Sequence, residues 1–194
     1  MHFLFDPFFD IERGARLIKA DLEQIKQTVN NSGNILLIGI GNEYRQDDGA
    51  GPFICNHERI RGLKGVSGLK LKGLRIMENS GDGIAMIKAW EGAGMAILVD
   101  AVYSGQPAGT IFRLDLMADP LPDYISPSST HGFGIPDCIA LSRSLGFLPG
   151  KMIFYGIEGE KFGQGLGLSA AVRLAAETVV EKIAAEITVE TAAG

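Results

Sequence analysis

An α/β fold is what the sequence predicts: a three-layer α/β/α sandwich around a mostly parallel, mixed sheet of about five strands, with an extra N-terminal helix. Three observations predict it. The runs Ile35–Ile40 (ILLIGI) and Met95–Val99 (MAILV) are too continuously apolar for half-exposed strands and read as inner strands covered on both faces. Strand-like stretches alternate with helix-like ones along most of the chain, which is the rhythm of βαβ units. With 194 residues, 46% hydrophobic and 21% charged, the chain is long enough for one domain with a substantial core.

In chain order, residues 1–33 stand apart as an N-terminal extension and residues 34–190 as a single α/β domain. Within the extension Ile11, Ala15, Ile18, Leu22, Ile25 and Val29 recur at helical spacing, one apolar stripe that Asn30 to Gly33 bring to an end. The first core strand follows at Ile35. Ala50, Phe53, Ile54, His57 and Ile60 predict a helix, with Pro52 in its opening turn. Residues 63–73 read as a loop running into a second strand drawn from Leu69, Leu71 and residues 74–77. Glu78 to Gly83 form a polar turn, and Ile84–Trp90 a short helix stopped by Gly92 and Gly94.

Met95–Val99 is the third strand, with Asp100 at its carboxyl end. A short turn at 103–109 leads to a fourth strand at Thr110–Leu114, and the shortness of that turn predicts antiparallel pairing with the third. Residues 115–130, with Pro120, Pro122 and Pro127, form a long irregular loop leading to His131. Cys138, Leu141 and Leu145 mark a helix closed by Gly146. Met152–Tyr155 is the fifth strand, followed by a loop over 156–167 with Gly156, Gly159, Gly163, Gly165 and Gly167. Ser169 is placed to cap a last helix whose stripe is Val172, Ala175, Val179, Ile183 and Ile187.

The stretch after the first strand carries the chemistry. Gly39 and Gly41 match the start of a dinucleotide fingerprint, but Tyr44 stands where its third glycine belongs. Asp47 and Asp48 also have the wrong sign for a pyrophosphate at a helix start. Asp47 is accounted for as a helix cap or as a group that orients Asp48. The glycines Gly49 and Gly51 directly after the pair point to close approach of backbone or ligand. Asp48, Asp100 and His131 each follow a strand or open a helix. If the first and third strands are neighbours, their carboxyl ends bring the two aspartates to one crevice, with His131 arriving above it. Two carboxylates and an imidazole suit an open site for a borderline divalent ion such as nickel or zinc, or a metal-free acid/base group. Taken singly, Asp100 is better explained as a turn cap and His131 as a solvated loop residue; the coincidence of three such residues at predicted strand ends brings the functional reading level.

Composition narrows the alternatives. A net charge of −5, with no cluster of Lys and Arg, argues against nucleic acid or an anionic membrane as partner. Cys55 and Cys138 form no CxxC pair and suit inert thiols in a reducing cytoplasm. The opening MHFLFDPFFD lacks the basic start of a signal peptide, and no apolar run reaches membrane-spanning length. His57 lies on the apolar side of its helix and reads as packed; His2 is terminal.

Four segments in register, GIGNEYRQDDGAGP (39–52), LVDAVYSGQPAGT (98–110), STHGFGIPD (129–137) and YGIEG with GLGLS (155–159, 165–169), closely resemble the maturation endopeptidases of [NiFe]-hydrogenases. The resemblance covers about residues 34–180 and omits the first 33. It implies a cytoplasmic protease, expected as a monomer, that removes the C-terminal extension of the hydrogenase large-subunit precursor after nickel insertion. It carries the metal-contacting trio onto Asp48, Asp100 and His131. The family's substrate-recognition turn usually begins with Asp and two glycines; here it reads Glu78-Asn79-Ser80-Gly81, so Glu78 and Asn79 are carried over with the acid lengthened and the glycines lost. Three such ligands leave the coordination sphere open, so nickel already held by substrate thiolates would complete it and license cleavage. Two rival readings stand beside it: a hydrolase with a permanently bound zinc at the same trio, and a non-catalytic nucleotide- or partner-binding α/β module, in which alanine at Asp48, Asp100 or His131 would leave function intact.

Overall fold

The computed structural model describes residues 34–63, 73–122 and 134–193. The amphipathic stripe of residues 11–29, the contribution of Leu69 and Leu71 to the second strand, the later part of the 115–130 loop and His131 lie outside these residues.

Five strands form one sheet: β1 (Asn34–Ile40), β2 (Gly73–Asn79), β3 (Met95–Val102), β4 (Ile111–Asp115) and β5 (Lys151–Glu158). Their spatial order is β2-β1-β3-β5-β4, with β4 antiparallel to β5 and the other neighbours parallel. The expected pairing of β4 with β3 is therefore corrected. β4 runs opposite to β3, as the short turn requires, but β5 lies between them. The 103–110 connection passes over the carboxyl end of β5, where Gly109 N donates to Glu158 O (2.8 Å) and Glu158 N to Thr110 O (2.9 Å). The fifth strand is also longer than its apolar run suggested: it continues through Gly156 to Glu158 because β3 pairs with it as far as Val102.

Alternation along the inner strands sorts side chains into two cores. Ile35, Leu37, Ile97, Val99, Ile153 and Tyr155 face helices α1 (Ala50–Asn56), α2 (Glu58–Gly62) and α5 (Ala170–Ala193). Leu36, Ile38, Ala96, Leu98, Met152 and Phe154 face α3 (Gly83–Trp90) and α4 (Ile135–Leu145). The apolar runs are thus buried on both sides, and α5 buries its whole predicted stripe from Val172 to Ile187. α4 ends on Gly146 in the left-handed conformation (φ 72°), as its position implied. Trp90, fully buried, donates its indole N–H to Ser142 Oγ at 2.9 Å and so ties α3 to α4.

The helix expected across residues 50–60 is two helices. His57 takes an extended conformation (φ −62°, ψ 133°) that breaks the run, and its Nδ1 accepts from Arg59 N at the start of α2. It is a half-buried cap, paired to Glu177 at 3.1 Å, rather than a core residue.

Candidate active site

The site begins where β1 meets α1, and glycines set that junction. A Cβ on Gly39 would overlap the Gly51 carbonyl; one on Gly51 would overlap the backbone of Ile40. No side chain can yield there, so only glycine lets strand and helix touch. Gly41 leaves the strand at φ +124°, and a Cβ on it would overlap Asp48 O. The chain then makes a 3-10 turn, Gln46–Gly49, preceded by a bend that holds Gln46 at φ +54°. Gln46 is the non-glycine residue in that strained region among those described.

This turn brings Asp48 to the mouth of the β1–β3 junction. Asn42 N donates to Asp48 Oδ2 at 3.1 Å. β1 pairs with β3 only as far as Gly39 opposite Val99, so Asp100, the next residue, faces the gap that opens when β1 leaves the sheet. On its other side Asp100 is in register with Gly156 of β5. Burial pushes Asp100 up to about 8, and the nearby charge of Asp48 adds to the rise. Asp48 is also raised by burial, but the Arg45 guanidinium and the Asn42 amide hold it back. Asp48 therefore ionises first, and Asp100 keeps its proton near neutrality. A carboxyl pair of this kind takes up either a shared proton or a cation, and its protonated member can exchange protons with a reacting group near neutral pH.

Asp47 corrects the expectation of a helix cap. It makes no cap bond to its own turn. Fully buried, it reaches 113 to 122 residues along the chain: Oδ2 accepts from Glu160 N (3.0 Å) and Lys161 N (2.9 Å), and Oδ1 from Ser169 N (2.7 Å). Burial opposes the charged form, but the amides of Ser169, Glu160 and Lys161 outweigh it and hold the carboxyl below its usual range. Backbone bonds continue the tie: Asp47 N to Lys161 O, Gln46 N to Gly165 O, and Gly165 N to Tyr44 O, all 2.9–3.0 Å. The glycine-rich loop after β5 is thus zipped onto the acidic loop after β1. Ser169 does sit just before α5, and its carbonyl accepts from Arg173 N, but its buried hydroxyl makes no bond to the helix N-terminus among the described residues and does not act as the cap.

The comparisons with known proteins meet this geometry. A profile of the hydrogenase maturation protease family (HycI) matches residues 69–186. The chain belongs to that family. As a hydrogenase maturation protease it is 30% identical over 162 residues to the hydrogenase expression/formation protein HoxM of Azotobacter vinelandii, spanning 77% of this chain and 73% of that protein. HupM of Azotobacter chroococcum is 31% identical over 143 residues, spanning 70% and 64%. The fold is that of the hydrogenase maturating endopeptidase HybD from E. coli, with TM-score 0.63, 22% identity, and coverage of 77% of this chain and 89% of that one. The maturation protease HycI from Thermococcus kodakarensis gives TM-score 0.58 at 21% identity, covering 84% and 97%.

In this maturation protease the described residues bring together Asp48 and Asp100; His131 lies outside them. Glu78, exposed at the end of β2, accepts from Asn56 Nδ2 at 2.9 Å. Asn79 is buried, and its side chain organises the following turn, donating to Asp82 O (3.0 Å) and accepting from Gly81 N (2.7 Å). Its carbonyl also accepts from Gly41 N at 2.9 Å, so it braces the acidic loop from the β2 side. The thiols of Cys55 and Cys138 are buried and pushed up to about 12 and about 11, which leaves them protonated and unsuited to nucleophilic attack. Glu158 was missed by the sequence reading. At the end of β5 and buried, it accepts from Ser104 N, Ser104 Oγ and Gly105 N at 2.7–3.0 Å and so fixes the loop after β3. Its glutamate within YGIEG carried no signal that distinguished an anchor from a solvated acid.

Proposed function

We propose that this maturation protease removes the C-terminal extension of a [NiFe]-hydrogenase large-subunit precursor, and that nickel carried by the precursor is what licenses the cut. The observation that carries the reading is the coupled Asp48–Asp100 pair at the β1–β3 crevice, in a chain of this family. Two carboxylates are acceptable ligands for a borderline divalent cation, which would take the place of the proton that Asp100 holds and neutralise both charges. His131 supplies the third donor in this proposal. Nickel held between precursor and protease orients the adjacent peptide bond over the crevice. With its proton displaced by the cation, the Asp100 carboxylate is suited to take a proton from the attacking water and return it to the leaving amine. Asp48 stays ionised and keeps the pair negative.

The test is cleavage of a nickel-loaded large-subunit precursor by wild type, Asp48→Ala and Asp100→Ala, beside a nickel-free precursor. Wild type cuts only the loaded precursor, and each variant loses at least a hundredfold in rate. Equal cutting of nickel-free and loaded precursor overturns the nickel gate; full activity in Asp48→Ala overturns the site.

A further inference from the structure

Three large apolar side chains stand in solvent around the acidic pair. Tyr44, Tyr103 and Leu166 are 63%, 76% and 73% exposed. They sit on the loops leaving β1, β3 and β5, all at the sheet end that holds Asp48 and Asp100. Between two of them runs a trough. Its first part, about 510 Å³, lies between Asn42, Tyr44 and Arg45 on one side and Gln164 to Leu166 on the other. Its second part, about 290 Å³, continues past Leu166 to Pro52, Phe53, Leu168 and Arg173. Leu166 lines both, so the two parts adjoin.

The trough starts at Asn42, one hydrogen bond from Asp48, and ends on a cation. Asn42, at its head, donates directly to Asp48. At its far end the Arg173 guanidinium lies 5.2 Å above the Phe53 ring, and no carboxylate engages it among the described residues. A groove with exposed aromatic and aliphatic walls suits an extended polypeptide, held by a few apolar anchors and fixed in register by one charge. Loop 42–49 and loop 161–169 are already bonded to each other, so the walls are preformed and little ordering cost is left for binding.

We propose that this trough holds the C-terminal extension of the precursor, with apolar side chains against Tyr44 and Leu166 and a carboxylate of the extension on Arg173. The inference rests on the proposed endopeptidase function and adds where the departing segment lies. An anchored extension fixes the chain on one side of the scissile bond, and the precursor's nickel fixes the other.

The test uses the full chain and a nickel-loaded large-subunit precursor. The Tyr44→Ser/Leu166→Ser double variant keeps kcat within twofold and raises KM tenfold or more, and Arg173→Gln raises KM about fivefold. Val189→Ser, which removes an apolar side chain 67% exposed at the opposite end of α5, changes neither. All of these side chains are exposed, so unfolding midpoints should match wild type. Two substrate arms identify the carboxylate: neutralised acidic side chains in the extension, or a Gly-Ser tail that moves the chain end. Whichever removes the true partner leaves Arg173→Gln without further effect. Wild-type cleavage with an unchanged KM in the double variant overturns the trough and leaves the endopeptidase reading standing. Absence of wild-type cleavage of the loaded precursor overturns both.

Discussion

Replacing Asp47 by asparagine keeps the shape of the side chain and removes its charge. The carboxylate accepts three backbone amides, from Glu160, Lys161 and Ser169, with no exposure to water. A hydrogen bond to a charged group is worth about 1.5–3 kcal/mol net, so simple addition gives about 5–9 kcal/mol. Addition overstates the loss, because one group serves all three donors and asparagine keeps one oxygen. That oxygen faces either Ser169 or the Glu160–Lys161 pair, and the new NH2 is turned toward the donors it leaves. We expect about 2–4 kcal/mol of destabilisation for Asp47→Asn, a large part of the ~5–15 kcal/mol typical of a domain. Urea unfolding at pH 7 measures it as a lower midpoint at unchanged slope. The pH dependence is a second check. Asp47 is held below its ordinary value, so its contribution is full above about pH 4, where the unfolded group is ionised, and is lost as pH falls through the folded value. The gap between wild type and variant should therefore be flat from pH 5 to 8 and close below pH 4. A gap under about 0.5 kcal/mol at pH 7, or one that widens on acidification, would refute the reasoning.

Other outcomes follow from the same geometry. Asp100 titrates near 8 when folded and near 3.9 when unfolded, so it costs stability increasingly from about pH 4 to 8. Asp100→Asn, in chelator, should thus raise the unfolding temperature at pH 9 and leave it unchanged at pH 4; an equal gain at both rejects the raised value. Asp48→Asn should lower the Asp100 titration followed by carboxyl carbon NMR, since the charge of Asp48 is one of its causes. Gly51→Ala places a methyl group into the Ile40 and Val99 backbone and should cost about 3 kcal/mol or more, whereas Gly62→Ala meets nothing within 4 Å among the described residues and should be neutral or gain up to about 1 kcal/mol; thermal unfolding of the two separates them. Glu158→Gln should make the Ser104 and Gly105 amides exchange hydrogen markedly faster, because it removes the charged acceptor they share.

What the sequence made legible depended on distance. ILLIGI and MAILV announced inner strands because burial on both faces leaves a local signature, and the stripe of α5 did so through its period. The neighbour of β4 was not legible, because a short turn fixes direction but not which strand fills the next place in the sheet. Asp48 and Asp100 could be put in one crevice because ligand sites gather at strand ends where the connections diverge. The partners of Asp47 could not be named, since its three donors lie more than a hundred residues away and their amides look like any others in sequence. The break at His57 was hidden for a different reason: the apolar spacing from Ala50 to Ile60 continues across it, and only the backbone angles show the interruption. Gly39 and Gly51 stood out as glycines, but that they touch each other appeared only in three dimensions.

The clasp between Asp47 and Ser169 spans 122 residues. A polypeptide emerging from the ribosome therefore cannot hold its acidic loop in the working arrangement until residues 160–169 have been made. Chains cut short before residue 160 would lack all three donors to Asp47 as well as the wall formed by Leu166. Prematurely ended copies of this protein should accordingly be harmless to their client rather than indiscriminate cutters.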